Sequence, residues 1–352
     1  MLYFILRRLG YGFLVIFGVI IVIFTLFFVL PGDPVSTILG GKGDVETRKT
    51  LTKELGLDKP LIVQLGYYLN DLSPIGLHAN TPEIQKKYEY LRLISLGEYN
   101  LALKSPYLRR SYQTNRRVDE ILLEDIEGTL VLAILSMFFA TLIGMFFGVM
   151  AALRQNSFLD YSLVTISVLG ISTPSFVMAI LISTIFGFYL SDYTGLKPIG
   201  SLWELNPFTG QFELQIRNMI LPVITLSLRP LSIIVQLTRS SMLEVLSQDY
   251  IRTAKAKGLL FYQVVIKHAL KNALNPVITA VSGWLASLMA GAFFIEYVFN
   301  WKGLGRTTIR AVETLDLPIV MGATILIAFI FVIINIVVDV LYAAIDPKVR
   351  LE

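Results

Sequence analysis

The sequence predicts an all-α polytopic membrane protein with six transmembrane helices, and three observations carry that prediction. First, 55% of the 352 residues are hydrophobic and only 16% are charged, with a mean hydropathy of +0.66. A soluble domain carries about 25% charged residues, so lipid must solvate much of this chain. Second, four apolar runs of at least 22 residues hold no charge, and two more hold one each. A helix needs roughly 20 apolar residues to cross about 30 Å of hydrocarbon. Third, the basic residues are shared unequally between alternate short loops. The same composition excludes a soluble globule, a disordered tail and a disulfide-stapled secreted domain. A net charge of +4 over this length gives no case for nucleic acid and suits anionic headgroups. With no cysteine, disulfides, thiolate metal sites and cysteine nucleophiles are excluded.

The first span runs from Leu9 to Leu30 and follows Arg7 and Arg8, as a signal peptide would. Its apolar run is too long, and Pro31-Gly32-Asp33-Pro34 stands where a small-residue cleavage site belongs, so it reads as a retained anchor. Residues 31–127 then form the large segment outside the membrane. Within it, 45–57 and 60–72 read as two short amphipathic helices, with Gly56 ending the first and Pro60 opening the second. The basic run Lys104, Arg109, Arg110, Arg116 and Arg117 reads as a solvated strap near headgroups in preference to a docking surface. Residues 128–345 form a core of five further spans: Gly128 to Leu153, Tyr161 to Ser191, Asn218 to Thr238 with Arg229, Ala273 to Ile295, and Leu317 to Ile345 with Asp339. Segments 1–8, 154–160, 239–272 and 346–352 hold eleven Lys and Arg; the opposite loops 192–217 and 296–316 hold five. That bias puts both termini, and the tail 346–352, in the cytoplasm. The long segment 31–127 escapes the rule and lies on the extracytoplasmic side.

Residues 239–276 carry the mechanism. The loop is too long for a turn and forms helix on both sides of Gly258. Ile251, Ala254 and Lys255 share one face before the glycine, and Val264, Val265, His268 and Ala269 share one after it. Gly258 admits the left-handed backbone that a sharp reversal needs. The product is a basic, small-faced helix-turn-helix suited to a groove in another protein, or else an amphipathic helix resting on anionic lipid. Asn275-Pro276 leads directly into the fifth span and ties the loop to it.

Here the sequence resembles a known family. Tyr250-Ile251-Arg252-Thr253-Ala254-Lys255-Ala256-Lys257-Gly258, followed by His268-Ala269-Leu270, Asn272-Ala273 and Pro276, is similar to the "EAA" loop of ABC-importer membrane subunits. More closely, the chain resembles the dipeptide/oligopeptide/nickel permeases. Pro31-Gly32-Asp33-Pro34, Leu55-Gly56-Leu57-Asp58-Lys59-Pro60, Thr173-Pro174-Ser175-Phe176, Glu296 to Arg306 and Asp339 to Pro347 follow in the family's order. Two departures stand out: Thr253-Ala254 replaces Glu-Ala, and Lys302 replaces a proline. The resemblance implies a type I ABC-importer-like permease in a bacterial or archaeal inner membrane, with a cytoplasmic coupling helix. Tyr250, Arg252, Thr253, Ala254, Lys255, Ala256, Lys257, Gly258 and His268 would seat in a cleft of an ATPase. The implied partners are a second homologous permease, two cytoplasmic ATPase subunits and an extracytoplasmic substrate-binding protein. The solute class is peptide, with nickel chelate, glutathione or antimicrobial peptide as alternatives. No cofactor is expected on this chain, ATP and Mg residing on the ATPases.

Polar groups inside the spans complete the candidate set. Arg229 lies near the middle of its span, followed by Pro230; an arginine there costs at least about 2.5 kcal/mol unless it meets water or a partner. It reads either as a pathway residue for a substrate carboxylate or as a structural ion pair. Thr173 and Ser175, with Ser172, flank Pro174 and can either satisfy carbonyls freed by the proline or line a broken-helix cavity. Asp339 and Asn335 read as packing groups. Gly144 and Gly148, and Gly283, Ser287 and Gly291, have the four-residue spacing that lets helices approach closely. No catalytic residue and no metal site are expected: His268 has no carboxylates around it and His78 falls on the other side of the membrane. No P-loop run occurs. A secondary transporter would need ion-coupling residues and repeat symmetry; an intramembrane enzyme would need a matched catalytic pair. Neither is seen.

Overall fold

The computed structural model describes residues 2–29, 34–39, 45–54 and 56–345. Pro31, Gly32, Asp33, Leu55, Asp346 and Pro347 of the motifs, and the expected tail 346–352, lie outside the described residues. The chain opens with α1 (Leu2–Val29), α2 (Pro34–Leu39), α3 (Val45–Glu54) and α4 (Leu61–Leu72). Gly56 turns in the left-handed region at φ 67° between α3 and α4, and Pro60 caps α4, as expected. Then come β1 (Ile75–Ala79), α5 (Pro82–Tyr88), β2 (Leu91–Leu96) and β3 (Tyr99–Leu103). α6 (Val118–Leu153) and α7 (Phe158–Ser172) follow, then α8 (Ser175–Ile182), which runs on as a π-helical stretch Ser183–Tyr189, and α9 (Ser191–Thr194). A short hairpin, β4 (Trp203–Leu205) and β5 (Phe212–Leu214), precedes α10 (Ile220–Leu246). The chain closes with α11 (Asp249–Ala256), α12 (Phe261–Gln263), α13 (Lys271–Gly291), α14 (Phe293–Val298), α15 (Leu304–Glu313) and α16 (Leu317–Ile345).

Among the described residues four helical stretches are long and apolar enough to cross a membrane: Leu6–Phe27, Val118–Leu153, Ile216–Leu246 and Leu317–Val340. A fifth follows if α7 and the Ser175–Tyr189 helix are one span, but they meet at a bend of 108°. The uninterrupted span expected from Tyr161 to Ser191 is therefore broken at Thr173-Pro174, because proline disfavours helical backbone in the residue before it. Ala273 to Ile295, the remaining expected span, forms α13 and α14. The helical fold class holds, and two small sheets add to it.

The chain divides into two compact units. The first takes in Met1–Leu9, Ile126–Arg306 and Ile330–Glu352. Its centre is α10, against which α7, α8, α13 and α14 pack. Close approach needs missing side chains: a Cβ on Gly144 would lie 2.8 Å from Ile234, and one on Gly148 2.5 Å from Thr238. These two glycines are the packing marks their spacing implied, whereas a Cβ on Gly283 would meet nothing within 4 Å. Asp160, 1% exposed, takes a two-pronged ion pair from Arg239 at 2.6 and 2.7 Å, the strong planar geometry of guanidinium on carboxylate. Asp339 is more than a packing group, since Arg8 pairs with it at 2.9 Å.

The second unit takes in Gly10–Asp125 and Thr307–Phe329. Its antiparallel sheet has the order β1-β3-β2, with Gly97 at φ 74° opening the two-residue turn between β2 and β3. The basic run is a solvated strap only in part, since Arg110 and Arg116 are exposed while Lys104, Arg109 and Arg117 are drawn into the fold. Lys104 is 6% exposed and donates to the Asp71 carbonyl, Arg109 pairs with the Asp71 carboxylate at 3.1 Å, and Arg110 donates to the Asn115 carbonyl at 2.7 Å. Arg116 pairs with Glu124, and Arg117 with Asp119 at 2.8 Å. Asp71 and Asp119 turn Arg109 and Arg117 into partly buried struts, while the Arg116–Glu124 pair lies at the surface.

His78 on β1 is buried with its ring 4.2 Å from that of Tyr88 and 5.7 Å from Tyr90. Its Nε2 has no hydrogen-bond partner among the described residues. Burial, then Lys104 and Lys87, hold its pKa below the ordinary 6.5, with Asp71 opposing. The unfolded chain therefore binds this proton more readily, so stability is full above about pH 6.5 and is lost as pH falls through the lower folded value. Each tenfold change in proton affinity is worth about 1.4 kcal/mol. Protection of the β1 to β3 amides, measured as exchange relative to the intrinsic rate at each pH, is expected to fall between about pH 7.5 and about pH 5, and a His78→Phe chain is expected to lose most of that change. Equal acid sensitivity in the two chains would remove His78 as its source.

Candidate coupling loop and membrane cavity

The loop between α10 and α13 is anchored by apolar side chains on one side only. Ile251 and Ala254 of α11 are buried with Met242, Val264, Val265 and Ala269. Arg252, Thr253, Lys255, Ala256, Lys257 and Gly258 are exposed. Lys255 thus departs from the face expected for it: it sits at the rim of the buried stripe, and an ammonium there turns to water. Gly258 adopts φ 77°, and its N–H donates to the Lys255 carbonyl at 3.0 Å. After Leu259 and Leu260 the chain re-enters helix at α12, which widens into the π-helical stretch Val264–Leu270 and passes into α13 with helical backbone. The expected second helix is therefore continuous with the helix that follows. Tyr250 is tied to α13, its hydroxyl accepting from Asn272 Nδ2 at 2.8 Å, and the same amide donates to the His268 carbonyl at 3.2 Å. His268 is half-buried. The exposed side joins four cations, Arg252, Lys255, Lys257 and Lys267, to an apolar rim of Leu260, Phe261, Tyr262 and Ile266. Such a surface, held at both ends, can transmit a push without absorbing it.

Within the first unit a cavity of about 60 Å³ lies where the broken helix meets α10 and α13. Gly170, Ser175, Thr225, Arg229, Trp284 and Ser287 contribute to its lining. Gly170 is needed for the approach, since a Cβ there would fall 2.7 Å from the Leu228 carbonyl. Arg229 and Ser175, far apart in sequence, are brought together. Thr173 is not in the lining; its hydroxyl donates to the Leu169 carbonyl at 3.3 Å, as Ser172 does to Val168 at 3.0 Å. Both readings of the Pro174 region hold, each for a different residue: Thr173 and Ser172 satisfy the helix end, and Ser175 faces a cavity. Trp284 and Ser287 were legible only as apolar or packing positions.

The Glu296-to-Arg306 motif builds a buried knot. Glu296 is fully buried, and its carboxylate accepts from Thr129 Oγ1 at 2.7 Å, Gly305 N at 2.7 Å and Arg306 N at 3.2 Å. It thereby caps α15, whose first N–H groups have no helical acceptor. Trp301 Nε1 donates to the Gly128 carbonyl at 3.0 Å. A Cβ on Gly303 would lie 2.4 Å from Glu296, and one on Gly128 1.9 Å from the Lys302 carbonyl. Sequence reasoning placed this motif without a role; its glycines and glutamate are there to close the knot. Among the described residues no three His, Asp or Glu gather as metal ligands would.

A model of the family described as "Binding-protein-dependent transport system inner membrane component" matches residues 144–351, and one for the N-terminal part of such components matches residues 1–133. This chain belongs to that family. It is 35% identical to the dipeptide transport system permease protein DppB of Escherichia coli (strain K12), over 99% of each chain. It is 36% identical to the protein of that name from Alkalihalophilus pseudofirmus, over 99% of this chain and all of the other. The di/tripeptide transport system permease protein DppB of Pseudomonas aeruginosa is 34% identical, again over 99% of each. The fold of part of the chain is similar to that of a chain of the MetNI methionine ABC transporter in an inward-facing form, with a TM-score of 0.51, 19% identity, and coverage of 64% of this chain and 97% of that one. The family resemblance carried by the motifs is thus borne out: the binding-protein-dependent component is a multi-pass permease subunit of an ABC importer.

Proposed function

We propose that this permease lines, with a second homologous permease, a path for di- and oligopeptides, and that it is driven by two ATPase subunits through the loop 239–276. In this reading both termini and the loop are cytoplasmic. Residues 31–127 lie outside and 128–345 form the permease core. A substrate-binding protein delivers peptide from outside, and ATP and Mg are held by the ATPases alone, so this chain performs no chemistry of its own. Full-length likeness to peptide permeases supports the solute class. The single observation that carries the coupling role is the form of the loop: a left-handed Gly258 at the tip of an exposed basic surface, with Tyr250 and Ile251 holding it to the helices on either side. A groove-docking helix needs such an anchored outer face.

Purification in mild detergent, followed by mass spectrometry of what accompanies the chain, tests the assembly. A second permease and an ATPase are expected in the same peak. Reconstituted with its binding protein, the complex is expected to take up labelled trialanine only with ATP inside. Uptake driven by an ion gradient without ATP would overturn the reading.

A further inference from the structure

The cavity beside the broken helix is built like a receptor for a small anion. Arg229 lies near the middle of the Ile216–Leu246 span. Among the described residues it makes no hydrogen bond or ion pair, and it is the lone charged side chain of the lining, which holds no carboxylate. Three more residues of the lining, Ser175, Trp284 and Ser287, carry a side-chain donor that has no partner among the described residues. Thr225 differs, its hydroxyl being spent on the Leu221 carbonyl at 2.7 Å. The backbone at Ser175 adds to the set, because α8 opens there after Pro174 with no side-chain cap.

A guanidinium at mid-span is costly until water or an opposite charge meets it. A packing ion pair would be met by one carboxylate held against the helix. Here Arg229 and Ser287 are exposed on the open side of the cavity, among neutral donors and no acceptor charge, and that set matches the several lone pairs of one carboxylate. The volume accommodates several waters, each needing about 10–15 Å³. It is thus room for a terminal carboxylate rather than for a whole peptide. We infer that Arg229, with Ser175, Ser287 and Trp284, forms a subsite that takes the C-terminal carboxylate of a peptide in transit. The inference rests on the peptide-import reading and adds to it the part of the solute that this chain recognises.

The absence of cysteine makes the site directly measurable. Met178 also lines the cavity and carries no donor, so Met178→Cys is a reporter that leaves the donor set intact. In the assembled complex, anionic and cationic methanethiosulfonates of like size are applied, and modification of this chain is followed by mass. The anionic reagent is expected to react at least about tenfold faster than the cationic one, and Arg229→Gln in the same background is expected to abolish that preference. Trialanine should slow labelling, whereas trialanine amide should not. Arg229→Lys, again in the Met178→Cys background, tests charge rather than shape: lysine is expected to keep most of the preference. An unchanged ratio in Arg229→Gln, or equal protection by peptide and amide, would overturn the subsite. Charge preference as expected, but no ATP-driven trialanine uptake, would overturn peptide import and leave the anion site standing.

Discussion

Gly258→Val is expected to leave the chain in the membrane at normal yield and to reduce ATP-driven uptake to below about a tenth of the wild-type rate. Left-handed backbone costs a residue with a Cβ about 1–2 kcal/mol, and more when it is β-branched. Every 1.4 kcal/mol is about tenfold in an equilibrium constant. A Cβ at Gly258 meets nothing within 4 Å, so no core contact is lost inside the chain. The strain falls on the turn that, in the proposed coupling role, would present Lys257 and Leu259 to a partner. Gly258→Asn is the matched control, since asparagine tolerates the left-handed region, and it is expected to retain most uptake. Uptake by reconstituted complex and co-purification of the ATPase subunits are the two measurements. Wild-type uptake by the valine chain would remove Gly258 from the coupling surface.

The largest loss of stability is expected from Glu296→Ala. That change strands the N–H groups of Gly305 and Arg306 and the Thr129 hydroxyl in a buried setting. Each orphaned buried donor costs about 1–3 kcal/mol, and the three together are expected to lower stability by about 3–5 kcal/mol. Thermal unfolding in detergent, read by scattering and intrinsic fluorescence, should show a drop of several degrees. Glu296→Gln is expected to lie between, because an amide keeps one acceptor and presents an N–H₂ to the remaining donors. Gly128→Ala is expected to harm the same knot by a different route, its new methyl colliding with the Lys302 carbonyl. A Glu296→Ala chain that melts with the wild type would show that water satisfies those donors.

The two changes separate function from fabric. Gly258 stands at an exposed turn where strain alters what is presented, and Glu296 at a junction where lost acceptors weaken the fold. If the loop drives the helices as proposed, both have to be intact, because a loop can move helices only if those helices are held to one another.

Much of this was legible in the sequence. Apolar runs of membrane length must become helices, since hydrocarbon offers no partner for backbone N–H and C=O groups. Gly56 and Pro60 marked a turn and a helix start because their backbone preferences are local. Ile251, Ala254, Val264, Val265 and Ala269 announced their buried face through helical spacing, and Gly258 announced a reversal through its freedom at positive φ. Those are properties of neighbouring residues, and neighbouring residues are what a sequence displays.

The rest depended on pairs far apart in the chain. Leu91 to Leu103 has alternating apolar residues, but β3 buries Asn100 and Ala102 rather than its leucines, and the sheet exists because β3 can pair on both edges. Lys104 and Arg109 read as solvated cations until the fold supplies Asp71, from α4, well before them in the chain. Asp339 gained its partner from Arg8 at the other end of the sequence. Arg229 could be named from its cost in lipid, but whether it met a counter-ion or a cavity was decided by where α7, α8 and α13 lie against α10. The physical reason is the same in each case. Burial and backbone preference are set within a few residues, whereas the partner of a charge, and the empty space beside it, are set only when distant segments pack together.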